Sequence, residues 1–205
     1  MLRKIARNRP LAAWVAYEFS LGPFSAFFLT LLFPNYLETL IGDPKLTDKY
    51  WGLTNSITLA VVAITTLIIG GLLDRKGFRR GFFRYAGITW LVFAALALTT
   101  HRPLFALILF GIALLHYQWV NVPYNAYLND LSVKEDRGRV SAAGWAAGYR
   151  GSLILLLAAL PLLRGSGDAA RGMWLALWIV PISGLLFFLP AAFLLPRVPA
   201  KPAVG

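Results

Sequence analysis

The chain has 205 residues, of which 58% are apolar and 14% charged, with a net charge of +11 and a mean hydropathy of +0.64. Soluble domains carry about 25% charged residues, so this composition excludes an ordinary soluble domain and points to an integral membrane protein. With no cysteine, disulfides and thiolate metal sites are excluded. The cations cluster at the ends of apolar segments, a topological pattern and not a nucleic-acid-binding one.

Six apolar segments follow in chain order: Leu11 to Phe33, Tyr50 to Leu73, Phe82 to Thr100, Pro103 to Tyr127, Val140 to Leu163, and Met173 to Leu195. Each has the roughly 20 residues that cross a hydrocarbon core of about 30 Å as a helix. The expected organisation is a cytoplasmic N-terminus (1–10), a six-helix transmembrane domain (11–195) and a cytoplasmic tail (196–205). The first segment is too long for a signal peptide, contains Glu18 and lacks a clear small-residue cleavage site. Of the 20 Lys and Arg residues, 14 fall on the side of the chain ends and the second and fourth connections, and 5 on the other side. That asymmetry places both termini in the cytoplasm, in a multi-pass protein of the cell inner membrane.

The first segment carries Glu18, about seven residues in and so roughly 10 Å deep. The fifth carries Arg150 roughly 15 Å deep, near the midplane. Ionisable groups at such depths cost at least about 2.5 kcal/mol at the centre and mark wet cavities or ion partners. Glu18 suits a coupling proton or a cationic group. Arg150 suits a carboxylate or phosphate. The two can also pair with each other.

The fourth segment adds Gln118, Asn121 and Asn125, spaced 3 and 4 apart and therefore on one helical face. Lipid would leave these amides unsatisfied, so the stripe is expected to face the interior, flanked by His116, Tyr117, Trp119 and Tyr124. Pro123 lies within it, and Pro23 follows Glu18. Each proline frees a backbone carbonyl, a feature of mid-depth transport sites. In the fifth segment Gly144 and Gly148 form a GxxxG pair, and Gly151 extends a second small ridge. Such ridges let helices approach closely, either within the bundle or against another half.

Between the second and third segments runs Gly70-Gly71-Leu72-Leu73-Asp74-Arg75-Lys76-Gly77-Phe78-Arg79-Arg80. An acid just past a helix C-terminus is unfavourable unless cations compensate it, and Arg75, Arg79 and Arg80 are at hand. These cations also suit anionic lipid. The turn resembles the signature of the major facilitator superfamily, G-x-L-a-D-R-x-G-R-R, at Gly70, Leu72, Asp74, Arg75, Gly77 and Arg79, and departs from it at Phe78. Two further regions resemble the vacuole-effluxer (autophagy-related) branch. One is Trp14-Val15-Ala16-Tyr17-Glu18-Phe19-Ser20 with Leu32-Phe33-Pro34-Asn35-Tyr36. The other is Tyr124-Asn125-Ala126-Tyr127-Leu128 with Arg137-Gly138-Arg139-Val140-Ser141 and Gly144-Trp145-Ala146-Ala147-Gly148-Tyr149.

The resemblance implies one half of a major-facilitator fold, all-α with a 3+3 inverted repeat, and a substrate of the amino-acid type. Members have about twelve helices, so six spans lead to the expectation of a half-size secondary transporter that pairs with a second six-helix half, a homodimer by preference and an unlike half otherwise. That assembly would move a small polar or anionic solute by alternating access with proton coupling. Glu18, Gln118, Asn121, Tyr124, Asn125 and Arg150 would serve substrate or coupling. Gly70, Asp74, Arg75, Gly77, Arg79 and Arg80 would form a cytoplasmic latch. The competing expectation is a non-transporting accessory or assembly subunit that kept the fold. No paired carboxylates, histidine cluster or nucleophile–base arrangement suggests an enzyme, and no metal or cofactor is expected; His101 and His116 are too few for a metal site.

Overall fold

The computed structural model describes residues 5, 7–165 and 167–197; the side chains of residues 74–76 lie outside the described residues. Helix α1 covers Arg9–Ile41. Then come α2 (Pro44–Lys76), α3 (Arg79–Ala97), α4 (Pro103–Leu131), α5 (Arg137–Gly165) and α6 (Ala169–Leu194). Among the described residues there is no strand. Five helices, all but α3, are long and apolar enough to cross a membrane. The chain is therefore all-helical, with the character of a multi-pass membrane protein. Helix α3 departs from the expected six equal spans because Arg79, Arg80 and Arg84 occupy its first six residues.

Local chemistry sets the ends. Asn8 Oδ1 accepts from the Leu11 amide at 3.3 Å, Asp43 Oδ1 from Leu46 at 3.2 Å and Asp168 Oδ1 from Ala170 at 2.8 Å. Each serves an amide that the first helical turn leaves unpaired. Pro44 directly after its Asp43 cap starts α2 six residues before the apolar stretch begins. Gly42 (φ 77°) and Gly77 (φ 66°) close α1 and α2 in the left-handed region that glycine enters without cost.

Within α1, residues Phe24–Leu31 are wound as π-helix directly after Pro23. The helix continues through its proline, and the widened turns follow it.

Helix α1 packs chiefly on α5 and α6, while α4 packs chiefly on α3 and α2; α3 also meets α6. Between them lies a core of fully buried rings. Phe28 and Phe110 each stack on Phe33, with centroids 5.2 and 5.1 Å away, and the edge of Trp90 meets Phe24 at 5.1 Å. Helix α2 is left largely uncovered, with only 11% of its apolar window buried against 44% for α1 and α6.

Polar contacts gather at one end of the bundle. Buried Arg79 forms an ion pair with Asp130, at the end of α4. Arg80 donates to the Phe193 carbonyl, and Arg84 to that of Ala192 at 2.8 Å, at the end of α6. The Tyr127 hydroxyl donates to the Pro196 carbonyl at 3.0 Å. Asn8, Leu131 and Asp136 line one small cleft at the same end. The starts of α1, α3 and α5 and the ends of α4 and α6 thus share a face.

Candidate functional site

Helices α1, α4 and α5 enclose an open cavity of about 370 Å³, within the range of small-molecule sites. Glu18, Ser25 and Ala26 come from α1. Tyr117, Asn121, Tyr124 and Asn125 come from α4, and Trp145, Gly148, Tyr149 and Ser152 from α5. Glu18 is the lone acid among these lining residues, and no Lys, Arg or His lines the space.

Two ring systems set the wall. Trp14 stacks on Tyr124 with centroids 4.6 Å apart and an interplanar angle of 7°. The pair also exchange hydrogen bonds across α1 and α4. Trp14 Nε1 donates to the Tyr124 carbonyl at 2.9 Å, and the Tyr124 hydroxyl reaches the Trp14 carbonyl at 3.2 Å. The same hydroxyl lies 2.9 Å from Glu18 Oε1.

A phenol has one proton to give, and here it faces two acceptors. With Glu18 ionised, the phenol donates to the carboxylate and the Trp14 carbonyl goes without it. With Glu18 protonated, the carboxyl donates to the phenol and the phenol to the carbonyl, so every partner is served. The geometry thus accommodates both protonation states of Glu18 by turning one hydroxyl.

Close approach of α5 completes the wall. A Cβ on Gly148 would lie 3.1 Å from Glu18 Oε2, one on Gly144 3.1 Å from the Trp14 ring, and one on Gly151 2.7 Å from Phe19. The glycine ridge of α5 therefore docks against α1 within the bundle.

Of the residues singled out in the sequence, Glu18, Asn121, Tyr124 and Asn125 converge on the cavity. Gln118 is half-buried and does not line it; Arg150 is exposed and does not line it either. Among the described residues no Glu18–Arg150 ion pair forms. The second polar feature of α4, His116, lies elsewhere. Its Nδ1 faces the Ile112 carbonyl at 2.9 Å and its Nε2 the Tyr85 hydroxyl at 3.2 Å. A carbonyl only accepts, so Nδ1 carries the proton in that arrangement.

Ser25, Trp145, Tyr149 and Ser152 were not expected at the site, and Tyr117 was expected as a flank of the amide stripe. Their signal was spacing: Trp145, Gly148, Tyr149 and Ser152 fall on one helical face beside the glycine ridge. In the expected latch, Gly77 forms the left-handed cap of α2, while Arg79 and Arg80 make the contacts described above. A Cβ added at Gly70 would meet no heavy atom within 4 Å, so close packing does not require glycine there. The side chains of Asp74 and Arg75 lie outside the described residues.

No family model matches the chain, and no solved structure matches it. It is similar to a protein of Bacillus subtilis (strain 168) described as an uncharacterized MFS-type transporter, YxiO. The identity is 25% over 188 residues, covering 88% of this chain and 43% of that protein. The chain therefore spans less than half the length of this relative.

Proposed function

We propose that the chain forms one six-helix half of a major-facilitator transporter of the vacuole-effluxer kind, and that it moves a small polar solute by alternating access. The observation that carries this reading is the cavity of about 370 Å³ around a lone carboxylate, set among helices of membrane-spanning length. Packing supports the internal symmetry of such a half. The pairs α1–α5 and α1–α6 match α4–α2 and α4–α3 when helices 1, 2 and 3 are superposed in order on 4, 5 and 6. The polar face carrying Arg79, Arg80 and Arg84 would be cytoplasmic under the charge asymmetry, and with it both chain ends.

The cavity is open along α1, α4 and α5, and a second six-helix half would close it. A second copy about an axis normal to the membrane is the first choice, with an unlike half as the alternative. Glu18 is the coupling group, because the Tyr124 hydroxyl at 2.9 Å can turn to donate to its carboxylate or to accept from its carboxyl. The titratable groups near it are the phenols of Tyr17 on α1 and of Tyr117 and Tyr124 on α4, and Tyr149 on α5 lines the same cavity. The Gly70–Arg80 turn, through Arg79 and Asp130, holds the cytoplasmic end in one transport state.

The test is solute exchange in proteoliposomes under an imposed pH gradient, screened over amino acids, amines and small carboxylates. At least one class should exchange in a gradient-dependent way, and Glu18→Gln should abolish the gradient dependence. Exchange by Glu18→Gln with undiminished gradient dependence would refute the coupling assignment.

A further inference from the structure

We infer that the solute taken by the cavity between α1, α4 and α5 is a cation, an amine or related organic cation with an apolar body. This inference rests on the transporter reading and names its substrate class. Glu18 is the sole charged group among the lining residues. Its Oε1 faces one donor, the Tyr124 hydroxyl, and its Oε2 lies against Gly148, which has no polar side chain. An ionised carboxylate accepts about four hydrogen bonds, so capacity remains on the cavity side. An ammonium group supplies both the charge and the donors.

The aromatic rim points the same way. Trp145 and Tyr149 line the cavity with 62% and 70% of their surfaces uncovered, their centroids 6.1 Å apart. Ring faces attract cations and also cover an apolar body. Asn121, Asn125 and Ser25 add neutral groups that orient a polar end without imposing a charge. An anion placed in this space would face Glu18 with no compensating cation among the lining residues; Arg150, the nearest in sequence, is exposed outside it. Because the ammonium and the proton both use the Glu18 carboxylate, they exclude each other, and solute movement in one direction would release a proton in the other.

The experiment is binding by the purified full chain in lipid nanodiscs, with three probes that share one ring: phenethylamine, 2-phenylethanol and 3-phenylpropionate. The amine should bind at least about tenfold more tightly than the other two, as expected when a partly buried charge gains an opposite partner. Glu18→Gln should bring the amine to the level of the alcohol. Trp145→Ala, on the uncovered rim, should weaken the amine by roughly threefold or more. Equal or tighter binding of the carboxylate, survival of the amine preference in Glu18→Gln, or binding of none of the three overturns the inference. Proteoliposome exchange separates the two readings: exchange of carboxylates without amines leaves the transporter standing and removes the cationic substrate, whereas exchange of neither removes both.

Discussion

Gly22 lies where α1 crosses α5, and Gly22→Ala tests how tightly that crossing is set. The added methyl would sit 2.5 Å from the Gly148 carbonyl oxygen and 2.8 Å from Ser152 Oγ. The serine hydroxyl can rotate away, although it then gives up its own 3.0 Å hydrogen bond to the same carbonyl. The carbonyl cannot move alone, because it belongs to the α5 backbone. The two helices must therefore part by at least about 0.5 Å in an interior packed as densely as an organic crystal. Overpacking of this kind costs about 1–3 kcal/mol, roughly a 5- to 150-fold change in the folding equilibrium.

Alanine also gains up to about 1 kcal/mol over glycine in a helix, so a reference is required. Gly52 on α2 has no heavy atom within 4 Å of the added methyl, and Gly52→Ala reads that gain alone. Equilibrium unfolding in mixed micelles with increasing dodecyl sulfate, followed by tryptophan emission, compares the two variants. Gly22→Ala should be less stable than Gly52→Ala by about 1–3 kcal/mol. Equal stability would refute the close α1–α5 crossing, and with it the wall that holds Glu18.

Tyr124→Phe keeps the ring stacked on Trp14 but removes the donor to Glu18; gradient-driven exchange should fall about tenfold or more, measured in proteoliposomes with expression and insertion unchanged. Arg79→Ala and Asp130→Ala should each destabilise the chain, by less than the ~3–5 kcal/mol of a fully buried pair because Asp130 is partly exposed. Their effects should not add in the double variant, and additive unfolding energies would remove the pair's importance. Asp43→Ala deletes the cap of α2 and should cost about 1 kcal/mol in the same unfolding assay without altering probe binding.

Much of the fold was legible because membrane energetics leave few options. Apolar runs long enough to span gave α1, α2, α4, α5 and α6, and only α3 fell short, through its three arginines. Helix ends were less legible, since the Asp43 cap and Pro44 extend α2 into polar sequence that hydropathy discards. At the site, Glu18 could be anticipated from cost, while spacing named Asn121 and Asn125 but also Gln118, which does not line the cavity. Arg150 could not be placed, because a residue's depth says nothing about the direction it faces around the helix. Gly148 settles that on α5: it turns toward α1, which brings Tyr149 to the cavity and leaves Arg150 outside it.

The widened stretch Phe24–Leu31 divides α1 into two registers. Below it, Glu18 and Leu21 answer to the cavity; above it, Phe33 and Tyr36 answer to the aromatic core. One residue inserted or deleted within the stretch would swing the upper half by about 100° while leaving the lower half seated on α5. A facing pattern read from one end of this helix therefore does not carry over to the other.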